Sequence, residues 1–302
     1  MRSPIWFALG FLAACAHAPE QARPRPPMVV PEDLRPEASR VRRAAAELLP
    51  LVFVVQLGQT VLPSSREGSD PPVLGAIALR TSWTQGASAT FVVARAGGGV
   101  QVLYEAQLVG ATEEPDFRFR RLDEPRPLIA EEDDAWRARV TVLERFRDDR
   151  CREPLDVVVL PRGGETGPTF DVYPVPVPGA LRIVRATVPA VDPETLTERT
   201  RIIQWAGWTD LVLGGHHLFR VTGDGRRVLE DRKISGRCSI VTVHPERIQE
   251  EVIEVAEPTL DVPNEVQLLM SALSKAVVRV TTRRGTWELA RGTLLYVAGP
   301  GG

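Results

Sequence analysis

Lysine is almost missing from this sequence: Lys233 and Lys275 are the only two, and every other Lys/Arg position is an arginine. Asn264 is the sole asparagine. Both scarcities read as the bias of a GC-rich genome before they read as chemistry. A cationic excess is missing too, since Lys+Arg of 37 stands against Asp+Glu of 39, for a net charge of -2. Without surplus positive charge there is no large surface to neutralise a phosphate backbone, so nucleic acid is not an expected partner. Beyond the N-terminus no uninterrupted apolar run is long enough to cross a bilayer. The best one, Leu48 to Leu57, is broken by Pro50 and Gln56 and reads as a buried strand. What is present is ordinary: 302 residues, 43% hydrophobic and 25% charged, the composition of a folded chain of about two domains. Low aromatic content (6%) and 26 prolines favour short strands and turns over helical arrays.

Local signatures of catalysis are lacking as well. There is no Gly-x-Ser-x-Gly elbow, no Ser-x-x-Lys, no His-Glu-x-x-His, no Walker A loop and no dinucleotide fingerprint. Gly97-Gly98-Gly99 lies between two strand patterns, which makes it a hairpin turn and not a phosphate cradle. The histidines are His17, His216, His217 and His244. Adjacent His216 and His217 on a strand point to opposite faces, so only one can join His244, and a carboxylate such as Glu246 or Asp224 would have to complete a zinc set. His216, His217 and His244 are the weak candidate site, and no metal or other cofactor is expected. Glu131 to Asp134 could offer oxygens to calcium, but acidic residues at a helix start ordinarily serve the helix dipole. Distant Ser, His and Asp can still converge, because a triad is defined by geometry.

Patterning divides the chain. Residues 1–14 are an apolar leader, and 15–35 are a proline-rich tether, with Pro19, Pro24, Pro26 and Pro27 favouring extended polyproline. An α+β region follows over 36–150 and a β-rich region over 151–302, the two together forming one domain or two. Glu37 to Leu49 is expected as a helix ended by Pro50, and Glu131 to Arg147 as a second helix. Two hairpins are clear: Thr90 to Ala96 with Val100 to Leu108, and His217 to Thr222 with Arg226 to Arg232 across Gly223-Asp224-Gly225. Further strands are expected at Val73 to Leu79, around Phe117 and Phe119, at Leu155 to Leu160, Leu181 to Val188, Arg237 to Val243, Glu251 to Val255, Val277 to Thr282 and Thr286 to Leu289. Tyr173 to Pro178 alternates with proline and reads as a polyproline connection or edge. Glu265 to Leu273 is ambiguous, alternating like a strand while Asn264 and Gln267 could cap a helix. The expected class is α+β, with mainly antiparallel sheet and a few helices.

The leader carries the most specific signal. Arg2 precedes the apolar run Ile5 to Ala14, whose ten residues span about 15 Å as a helix, half a bilayer core, so it reads as a removable signal segment. It ends Leu12-Ala13-Ala14-Cys15, which resembles the lipobox of bacterial lipoproteins. That resemblance implies cleavage before Cys15, diacylglycerol on its sulfur, and, with Ala16 following, sorting to the outer membrane. The chain would face the periplasm or the cell exterior, its membrane partner reached through the N-terminal lipid alone. Lipidation of Cys15 leaves two cysteines in an oxidising compartment, which favours a Cys151–Cys238 disulfide over two buried thiols. In the C-terminal half, Gly214-Gly215-His216-His217-Leu218-Phe219-Arg220-Val221, Ser235-Gly236-Arg237-Cys238, Pro263-Asn264-Glu265-Val266 and Trp287 resemble a group of uncharacterised bacterial secreted proteins, under a third of the chain and with no activity to carry over. The expected function is a non-catalytic binding, scaffold or assembly role at the envelope with an envelope protein as partner. The alternatives are a tethered hydrolase using one of the three candidate histidines, and an inhibitor or immunity lipoprotein.

Overall fold

The apolar run expected as a strand is the middle of a helix. In the computed structural model, which describes residues 27–80, 86–109, 116–146, 155–163, 167–176, 183–191, 198–205, 210–243 and 252–299, helix α1 (Arg35–Ser65) runs straight through Pro50. A proline inside a helix deletes one backbone bond and costs about 3 kcal/mol. The carbonyl it frees is that of Ala46, an exposed residue. Around it Leu48, Leu51, Val52, Val54, Val55 and Leu57 are buried, each contributing about 1.5–3 kcal/mol on leaving water, so packing outweighs the proline. A run apolar on all sides carries no period by which to separate strand from buried helix. By length and composition the helical stretch 32–65 could cross a bilayer, yet it is the central element of the core.

Strands β1 (Val73–Arg80), β2 (Ala87–Ala94), β3 (Val100–Val109) and β4 (Asp116–Arg126) form an antiparallel meander beside α1. Gly58 of α1 allows the close approach: a Cβ there would lie 2.3 Å from Cζ of buried Phe91 on β2. In the first turn of helix α2 (Ala130–Arg145), Glu132 accepts from the Ile129 backbone N–H and pairs with Arg126 at 2.7 Å. Asp133 and Asp134, considered above as calcium ligands, both pair with Arg137.

A second sheet has the order β11-β10-β6-β5, from β5 (Leu155–Arg162), β6 (Thr169–Pro176), β10 (His217–Thr222) and β11 (Val228–Lys233). One face, with Val158, Leu160, Tyr173, Val175 and Leu218, joins the core around α1. The other, with Val157, Val159, Phe170, Val172, Phe219 and Val221, packs on Ala135, Ala138 and Val142 of α2. The period-2 alternation thus serves two cores at once. The proline segment is a correction: Tyr173 to Pro176 is the end of β6, not polyproline. It is tolerated because β10 pairs with β6 only from Thr169 to Val172, while β5 pairs with it through Pro176, so Pro174 and Pro176 occupy a one-sided stretch of ladder.

Strands β7 (Ile183–Val191) and β8 (Glu198–Trp205) pair with each other, and β9 (Asp210–Val212) pairs with β12 (Ile240–Thr242). The last sheet is β13-β14-β15-β16, from β13 (Val252–Glu257), β14 (Val277–Thr282), β15 (Gly285–Ala290) and β16 (Thr293–Ala298). Here β13 and β14 run parallel, joined through α3 (Glu265–Ser274). The ambiguous segment is therefore a helix: Asn264 accepts from the Val266 and Gln267 amides at 2.9 Å and Gln267 reaches back to the Asn264 amide at 3.1 Å. The folded part starts before residue 36, since Met28 donates to Tyr296 O at 2.7 Å and Leu34 is buried in the core. Overall the protein is α+β with mainly antiparallel sheet.

Candidate functional site

Helix α1 crosses one end of the second sheet, and there a polar stripe on the helix meets a polar patch on the strands. Glu37, Arg40, Ala44 and Glu47 recur at three- and four-residue spacing, with Arg43 beside them. From the sheet come Arg162, Asp171, Tyr173, Leu218, Arg220 and Arg232. All of these except Glu37, which stands beside it, line an open cleft of about 280 Å³, whose lining has five arginines and two carboxylates, Glu47 and Asp171.

The cations fall into two sets. Arg162 is committed, at 2.7 Å from Glu47 and 2.9 Å from Asp171. Arg40 is committed too, donating to Glu37 at 2.8 Å and to Glu265 at 3.2 Å. The bond to Glu37 does most to raise the Arg40 pKa, and Arg40 in turn lowers that of Glu37. Glu265 opens α3 with no exposed surface and also accepts from the Tyr173 hydroxyl at 3.1 Å. Burial first, then that carboxylate, pushes the Tyr173 phenol above its ordinary range. Arg220 is held loosely, at 3.3 Å from Asp171 and 3.5 Å from Glu230. Arg43 and Arg232 are exposed and make no ion pair among the described residues. Such a floor of paired charges under uncommitted guanidinium forks is suited to binding an anion bidentately.

The candidate histidines do not meet here. His216 is buried on the α3 side, its backbone N–H donating to Ser235 Oγ at 2.6 Å and its Nε2 lying 3.1 Å from Val212 O. A carbonyl only accepts, so Nε2 carries the proton. Nδ1, like the nearby Asn264 Nδ2, is buried without a partner in hydrogen-bond geometry, although Asn264 is close enough to act on the ring. Burial is the main cause that lowers the His216 pKa to about 4. Alongside, Gln267 Nε2 donates to Leu213 O at 2.8 Å and to Glu257 Oε1 at 3.1 Å, and Gly236 N–H to Glu257 Oε2 at 2.8 Å. This knot ties the loops at Leu213 and Gly236 to the end of β13 and the first turn of α3. His217 faces the opposite core, its ring 4.9 Å from that of Phe146 and its Nδ1 3.0 Å from Asp231 Oδ1. His244 lies outside the described residues, as do Cys15, Cys151, His17 and the leader. Cys238 is disulfide-bonded, and no group of three potential metal ligands occurs among the described residues.

The sequence reading missed the arginine cleft. The α1 stripe was visible in the spacing, but the strand partners come from four segments, and arginine is too common in this chain for any one to stand out. No family profile, no curated protein and no solved structure matches the chain.

Proposed function

We propose that this protein is a non-catalytic, lipid-anchored binding protein of the bacterial outer membrane, facing the periplasm or the cell exterior, and that it holds an anionic group of a ligand or envelope partner in the arginine cleft. One observation carries the binding role: Arg43 and Arg232 enter a formed cleft with no carboxylate paired to them. The tether rests on Leu12-Ala13-Ala14-Cys15, because acyl chains on one cysteine, at about 0.8 kcal/mol per buried CH₂, hold a protein to a membrane without a spanning helix. The test uses mature protein in detergent. A small dianion, whether inorganic phosphate or glutarate, should raise the unfolding midpoint by mass action, and the Arg43→Gln/Arg232→Gln double variant should lose the rise. No rise with either anion counts against the binding role, and an unmodified Cys15 in the membrane fraction counts against the anchor.

The hydrolase alternative has a specific observation in its favour, since Asp231 orients His217 as a carboxylate orients a general base. Turnover of an ester, peptide or glycan substrate that disappears in His217→Ala would replace the binding reading.

A further inference from the structure

We infer that the group held in the arginine cleft is a phosphoryl dianion, a phosphomonoester or its equivalent, gripped between Arg43 on the helix and Arg220 and Arg232 on the sheet. This rests on reading the cleft as a binding site and specifies what it takes. The first ground is the number of uncommitted charges. Arg162 and Arg40 have short partners, so they build the floor, whereas Arg43 and Arg232 have none within 4 Å among the described residues. Two guanidinium groups without an ion-pair partner match a dianion, while a monocarboxylate answers only one.

The second ground is direction. Arg43 comes from α1, and Arg220 and Arg232 come from adjacent strands, with Leu218 opposite Arg232 and Arg220 opposite Glu230 in the β10–β11 ladder. Arg220 and Arg232 are thus diagonal neighbours on one face, within reach of a common point for long side chains. A carboxylate offers two oxygens in one plane. A phosphoryl group offers three oxygens spread tetrahedrally, which can be met from a helix on one side and two strands on the other. The third ground is adjustability: the contacts of Arg220 at 3.3 and 3.5 Å are longer than the 2.7–2.9 Å typical of charge-assisted bonds, so that fork can turn to a ligand at small cost.

Most carboxylates nearby are already paired: Glu47 and Asp171 are turned to Arg162, and Glu265 to Arg40 and Tyr173. Glu230, half-exposed and 3.5 Å from Arg220, is the one that an anion taking up Arg220 displaces. Glu37, whose pKa Arg232 helps to lower, is bonded to Arg40. The volume of about 280 Å³ is at the small end for binding pockets, so it suits a head group better than a whole large ligand.

Calorimetric titration of the full mature lipoprotein in detergent with glycerol phosphate and with glutarate tests this. Glycerol phosphate should bind more tightly than glutarate by about tenfold or more, the worth of one charge-assisted hydrogen bond. Arg232→Lys, which keeps the charge and loses the fork, should remove most of that preference, and Arg43→Gln should weaken glycerol phosphate in the same way. Both side chains are exposed, and unchanged unfolding midpoints would show that the variants fold. Phosphatidylcholine vesicles with and without phosphatidic acid, mixed with Cys15→Ser protein, separate the two sources of such a group. Sedimentation with phosphatidic acid that Arg232→Lys abolishes makes it a lipid head group, and binding of glycerol phosphate alone makes it a free phosphomonoester. Equal or tighter binding of glutarate overturns the phosphoryl assignment and leaves the cleft a binding site. Binding of neither anion by folded protein overturns both.

Discussion

His216 is 2% exposed and neutral at ordinary pH, with its proton committed to Val212 O. Its folded-state pKa of about 4 lies below the 6.5 of the free side chain. Between those values the unfolded chain binds the extra proton and the folded chain does not, so stability falls as pH drops from 6.5 towards 4. The full effect is about 3 kcal/mol. Denaturation midpoints taken across that range should show the loss, and His216→Asn should flatten it; an unaltered slope in the variant would place the acid sensitivity elsewhere. At the residue scale, His216 and His217 do face opposite ways, although His216 lies just before β10 rather than on it, so strand alternation alone does not fix its direction. Their partners were not legible in the sequence, since Val212, Ser235 and Asp231 are brought in by separate segments.

At the scale of elements, α1 is held against β2 by the absence of a side chain. Gly58→Ala adds helix propensity worth about 0.5–1 kcal/mol, but places a methyl group inside the Phe91 ring position. Phe91 is fully buried and packs edge-on to Phe119 with centroids 5.7 Å apart, so it has little room to yield. The net result should be a loss of about 1–3 kcal/mol, as for other overpacked cores, read as a lower midpoint in chemical denaturation; a more stable variant would mean that helix and sheet can separate freely. Elements with a clean period were legible, the two hairpins and α2 among them. Others failed for physical reasons. The middle of α1 is apolar all round and has no period, and β6 contains prolines tolerated only because its neighbour stops short. Strand β16 was legible and overlooked: Arg291 and Gly292 both have positive φ, 50° and 81°, the two-residue turn that joins antiparallel strands, and Gly at its second position was the signal.

On the scale of the whole molecule, the first described residues are joined to the C-terminal sheet, since Met28 bridges to Tyr296 on β16 and Asp33 pairs with Arg284 in the β14–β15 turn at 2.6 Å. If Cys15 carries the proposed lipid, the thirteen residues from it to Met28 set an upper limit of about 45 Å on the distance from anchor to fold. Cys238 is disulfide-bonded, and lipidation of Cys15 would leave Cys151 as its partner. That loop should contribute about 4–5 kcal/mol in the chain-entropy treatment. Peptide mapping of unreduced protein should recover a Cys151–Cys238 pair that separates on reduction, and labelling of both thiols without reduction would refute it. The binding role is tested most directly by arginine footprinting. Mature protein is treated with phenylglyoxal, with and without saturating glycerol phosphate, and the labelled arginines are mapped by mass spectrometry. Arg43 and Arg232 should label readily in the free protein and be protected by the anion, while Arg120 on β4, exposed and far along the sequence from the cleft residues, labels the same in both. Protection absent at Arg43 and Arg232, or found only at other arginines, would contradict the account.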